Sequence, residues 1–78
     1  MGTAKDERAK AAAGQGCLGK AADDEPVFIL RAQDRLASML VEEWALRAQG
    51  FGCPKEKVDE ARRLAHAMRM WPNRKNPD

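Results

Sequence analysis

Seventy-eight residues with a formal net charge of +2 allow one small domain and exclude the strongly basic profile of a dedicated nucleic-acid binder. No run approaches the ~18 apolar residues of a membrane span, and Lys5, Asp6, Glu7, Arg8 and Lys10 interrupt any secretory leader. Two cysteines, Cys17 and Cys53, read as free thiols of a reducing compartment.

Residues 1–25 are small, charged and punctuated by Gly14, Gly16 and Gly19, with Leu18 the sole bulky apolar side chain after Met1. Such a segment lacks the apolar surface to offset its ordering entropy, and a helical nucleus over residues 9–13 is too short to persist. A disordered arm is predicted. The ordered domain is predicted over residues 26–72. Pro26 opens it, and Val27, Phe28, Ile29 and Leu30 form a β-branched and aromatic run that reads as an extended segment. It has no strand to pair with in this chain. It either straps across the helices or pairs with another chain.

Helical periodicity begins after that run. A first helix is predicted over residues 34–49, with Asp34 as N-cap, Gly50 as the left-handed C′ residue, and Leu46 against Phe51 as the hydrophobic contact of a Schellman motif. A second is predicted over residues 54–71, with Pro54 at N1, Glu56 in the first turn and Pro72 ending it. The short connection makes them antiparallel neighbours. Residues 73–78 are predicted to fray. The fold class is therefore all-α: an antiparallel two-helix hairpin preceded by a short extended segment and a disordered arm.

The second helix places Val58, Ala61, Leu64, Ala65, Met68 and Trp71 on one side, with Lys55, Asp59, Arg62, His66 and Arg69 opposite. The first carries a broad apolar arc through Leu36, Ala37, Leu40, Val41, Trp44, Ala45 and Ala48. Met39 and Leu46 lie off that arc, so this helix is expected to contact more than one element. Trp44 and Trp71 are expected to anchor the core, each costing ~3–5 kcal/mol on truncation. About 46 ordered residues make a small core, worth ~3–5 kcal/mol without a metal, a disulfide or a partner. Self-association into a four-helix bundle is the simplest completion.

Chemistry is thinly represented. His66 is the lone histidine and sits among arginines, which reads as a solvated surface residue rather than a catalytic one. Cys53 lies beside Pro54 at a helix start, where a thiol pKa falls, yet its place in the turn suffices to explain it. Glu42 and Glu43 are adjacent, so they do not face each other as an acid–base pair would. Residues 54–78 carry seven bases and four acids. Lys55, Arg62, Arg69, Arg74 and Lys75 could follow a phosphate backbone, but Asp59 interrupts them and no aromatic residue interleaves. No metal or cofactor is expected.

The run Glu25-Pro26-Val27-Phe28-Ile29-Leu30-Arg31-Ala32-Gln33-Asp34, with Leu36-Ala37, Val41 and Trp44-Ala45 after it, resembles a set of small phage and prophage proteins. Their shared pattern is EPVFxLRAxDxxA, a spaced Val and Trp-Ala, and a second helix opening here as Lys57-Val58-Asp59-Glu60-Ala61. Cys17-Leu18-Gly19-Lys20-Ala21 is similar to their lead-in. The resemblance implies a phage-type origin, hence the cytoplasm of a bacterial host, and no mechanism. The expectation is a non-catalytic accessory protein that binds another protein, with a homodimer possible. Phe28, Leu30, Arg31, Met39 and Leu46 are the candidate partner-binding residues. The alternative is a nucleic-acid-associated protein using the basic positions named above.

Overall fold

The computed structural model describes residues 1–77. Among them the chain is all-α, with helices α1 (Ala4–Ala12), α2 (Gly16–Lys20), α3 (Ala37–Gly50) and α4 (Lys55–Arg69). α1 packs on α2, and α3 on α4.

The arm predicted to be disordered contains two helices instead. Thr3 caps α1, its hydroxyl accepting from the Asp6 amide at 3.2 Å. Asp6 and Glu7 in the first turn and Lys10 in the last complement the helix dipole. Gly14 and Gly16 turn the chain with φ of 70° and 71°. A Cβ on Gly19 would stand 2.7 Å from the Gly14 backbone carbon. The glycines that read as flexibility therefore let α2 close against the turn. Met1 holds this unit to the rest. Its side chain packs against Ala45, Ala48, Val58 and Ala61. Its α-amine pairs with Glu7 at 3.1 Å and with Glu60 of α4 at 3.4 Å.

α3 starts three residues later than the sequence suggests. Asp34 does not cap it. Its carboxylate accepts from the Leu36 amide at 2.8 Å and its carbonyl from Ala37 at 3.0 Å, a side-chain-stabilised turn ahead of the helix. The neighbours of Asp34 are held outside the helix by Lys75, whose backbone bonds Gln33 and Arg35. This makes an isolated parallel bridge between Asp34 and Lys75. The tail predicted to fray is thus tied down as far as Lys75; Asp78 lies outside the described residues.

The α3 terminus is a Schellman motif displaced by two residues. Gly50 is the last helical residue, and Gly52 takes the left-handed conformation at φ 80°. The Cys53 amide donates to the Ala48 carbonyl at 3.0 Å and Gly52 to Gln49 at 3.1 Å. Phe51 and Leu46 are both exposed, so their predicted contact is absent. Pro54 precedes α4 as its cap residue rather than opening it as N1, and its carbonyl accepts from Lys57 and Val58. α4 ends at Arg69 because Pro72 follows closely.

α3 and α4 are joined by residues 51–54. Gln49 meets Arg62 and Glu42 meets Arg69, so the helices run in opposite directions. The seam between them is built from small side chains: Ala37, Ala45 and Ala48 on α3, and Ala61 and Ala65 on α4, with Val58 and Met68. Alanine on both faces lets the backbones approach closely. That proximity excludes the indoles. Trp44 is 48% exposed and Trp71 51%, which corrects their predicted place in the core.

Two outcomes follow. Ala61→Leu should destabilise the protein by ~1–3 kcal/mol through overpacking, more than Trp44→Ala does; urea titration of both variants reverses the conclusion if the order is opposite. The Met1 amine, by hydrogen bond and by charge, holds the Glu7 carboxyl below its ordinary range, with Lys10 adding to the effect and partial burial opposing it. A carboxylate depressed on folding stabilises the docked form above its unfolded pKa and loses that effect as pH falls through the folded one. Protection factors over residues 4–12, taken relative to the intrinsic exchange rate at each pH, should therefore fall on acidification, and Glu7→Gln should remove that dependence.

Candidate protein-binding surface

The segment ahead of α3 presents the densest unpartnered apolar run. Phe28 is 83% exposed, Val27 and Ile29 are exposed, and Leu30 is half-buried. Among the described residues, none of residues 27–30 exchanges a backbone hydrogen bond with another backbone group. Beyond them the chain turns, the Asp34 amide donating to the Arg31 carbonyl at 3.0 Å. The tail bridge to Lys75 then sets this segment beside residues 75–77. Phe28, Ile29, Arg31 and Gln33 face Lys75, Asn76 and Pro77 across an open cleft of about 340 Å³. The Arg31 guanidinium donates to the Gln33 side-chain carbonyl at 3.3 Å.

Of the five candidate partner-binding residues, Phe28 and Arg31 meet at this cleft and Leu30 adjoins it in sequence. Met39 and Leu46 do not line it. They lie on α3, 54% and 61% exposed, so the preceding segment does not cover them. A second apolar strip was not recognised as surface in the sequence. Leu36, Leu40 and Trp44 recur every four residues along one flank of α3 and all remain exposed. The clue was the alanine spacing of α3 and α4: helices that meet through alanine push larger neighbours to the flanks. Phe51, set between two glycines in the turn, is another such residue.

The basic positions are engaged within the chain. Lys55 pairs with Asp59 at 2.7 Å, and this hydrogen bond holds the Asp59 carboxyl below its ordinary range, helped by Arg62 and Arg63. Arg62 donates to the Gln49 side chain at 2.6 Å. Arg69 is ion-paired with Glu42. Arg74 donates to the backbone carbonyls of Arg69 at 3.2 Å and Arg35 at 3.1 Å, joining the end of α4 to the start of α3. Lys75 supplies the backbone of the bridge. Lys55 and Arg62 line a second cleft of about 260 Å³ with Gln49, Cys53 and Val58.

Cys17 and Cys53 are free and exposed, and His66 is exposed. Among the described residues, no group of three His, Cys, Asp or Glu side chains could hold a metal ion, and no helix is long and apolar enough to cross a membrane. No family model, curated protein or solved structure matches the chain.

Arg74→Met keeps the stem and removes the donors. It should cost about 1 kcal/mol and speed amide exchange at Arg35 and Lys75. Unchanged exchange at both amides would mean the guanidinium does not hold the tail.

Proposed function

We propose that this chain is a non-catalytic accessory protein of phage type that acts by binding another protein, inhibiting or redirecting a complex of a bacterial host. The observation that carries this reading is the distribution of apolar surface. Among the described residues no large side chain is fully buried, whereas Phe28, Met39, Leu46, Phe51 and Met70 are all more than half exposed. A monomer with a complete surface keeps such residues scattered or covered; apolar strips of this extent on so small a protein are contact surfaces. A two-helix hairpin held by alanine serves as a frame that displays them. The intramolecular partners of Lys55, Arg62, Arg69 and Arg74 support protein over nucleic acid, because phosphate contacts would have to compete with pairs already made.

The chain bearing Met39→Glu and Leu46→Glu should fold, since both positions are exposed, and should lose a partner that the wild type retains. Capture from host lysate followed by quantitative mass spectrometry checks this. Equal capture by the two proteins removes α3 from the binding surface. Retention on DNA that falls steeply with salt, with no protein captured, would transfer the function to the basic face.

A further inference from the structure

The segment before α3 has backbone groups without backbone partners and apolar side chains in water. It also has charges of opposite sign at its two ends. Asp23, Asp24 and Glu25 precede the apolar run, and Arg31 and Arg35 follow it. A strand acidic at one end and basic at the other is complementary to itself when antiparallel. We propose that residues 25–31 pair antiparallel with the same residues of a second copy, with Phe28 facing Phe28 across the two-fold axis. This rests on the protein-binding reading above and names the partner as the chain itself.

Pro26 selects the register. Proline has no N–H to give a ladder, so it belongs at a position that makes no ladder hydrogen bond. With Phe28 opposite Phe28 as a non-hydrogen-bonded pair, Pro26 falls opposite Leu30 in another such pair and nothing is lost. Val27 and Ile29 then form the hydrogen-bonded pairs, twice by symmetry, for four backbone bonds. The alternative register, with Phe28 bonding Phe28, asks Pro26 for a donor that it lacks. In the chosen register Glu25 lies directly opposite Arg31, also twice. Phe28, Pro26 and Leu30 share one face; Val27, Ile29 and the ion pairs share the other. The Glu25 amide is already bonded to the Ala22 carbonyl at 3.1 Å, so the ladder narrows there. One Glu25 carboxylate oxygen accepts from the Ala22 amide at 3.1 Å and leaves the other for Arg31 of the second copy.

A ladder this short makes a weak dimer, concentration-dependent in the micromolar range and above. Sedimentation equilibrium over that range tests it, on the wild type, Glu25→Arg, Arg31→Glu and the double variant. Each single reversal should weaken self-association on the order of tenfold by setting like charges opposite. The double variant should recover it. Mixing the two single variants should give a heterodimer tighter than either homodimer, which no general loss of folding would produce. In wild-type dimer the Val27 and Ile29 amides should be protected from exchange and the Phe28 amide should not. A wild type monomeric throughout, or single reversals without effect, overturns the pairing. The protein-binding function is judged separately, by the Met39 and Leu46 variant: lost capture with a monomeric wild type leaves a heterologous partner in place, whereas a dimer with intact capture keeps the pairing and moves the other surface.

Discussion

The closeness of α3 to α4 is the constraint on which the rest of the molecule depends. Ala45, Ala48 and Ala61 meet, with Val58, where larger proteins place leucine or phenylalanine. A methyl group contributes little transfer free energy, so the seam draws more on close packing of backbones than on apolar area. Val58 and Met68 are its largest buried members, and the indoles stay outside it. Trp44, Leu40 and Leu36 are displaced to one flank and Met39 and Leu46 elsewhere. The same choice of residue that makes the hairpin compact makes its outside apolar.

A weak seam needs ties at its ends, and the chain supplies two of different kinds. At the end near the interhelical turn, Met1 packs onto the alanine cluster and its amine reaches Glu60, recruiting α1 and α2 to the hairpin. At the other end, Lys75 bridges the residues before α3 while Arg74 ties the α4 terminus to Arg35. Both ties involve parts of the chain that lie outside the amphipathic pattern. They also fix where the apolar run 27–30 leaves the body of the protein, beside the tail rather than over α3.

How much of this was legible follows from which forces leave a local signature. The buried stripe of α4 through Val58, Ala61, Ala65 and Met68 stood out because helical periodicity is a property of neighbours three and four apart. The fate of Trp44 did not, since an indole on an apolar arc reads as core unless the alanine spacing on both helices is weighed against it. Gly52 rather than Gly50 took the left-handed position because the helix runs on through Gly50 before the bonds from Cys53 to Ala48 and from Gly52 to Gln49 close it. The helices of the first twenty residues rest on Thr3 capping, the close approach of Gly19 to Gly14 and the pairs of the Met1 amine, none of which leaves a mark in apolar periodicity. Among the candidate site residues, Phe28 and Arg31 were identifiable as an unusual local run. Their meeting with Asn76 and Pro77 depends on a contact between segments some forty residues apart, which no local pattern carries.

The pairs Glu42 with Arg69 and Gln49 with Arg62 acquire a further role from the seam they flank. A row of methyl groups is nearly the same surface one helical turn further along, so it does little to prevent one helix from sliding past the other. A slide of one turn, about 5.4 Å, would still set alanine near alanine but would pull both polar pairs apart. These exposed contacts, each weak in isolation, act as the pins that select one alignment from several of similar packing, so that the hairpin's geometry is decided at its polar margin.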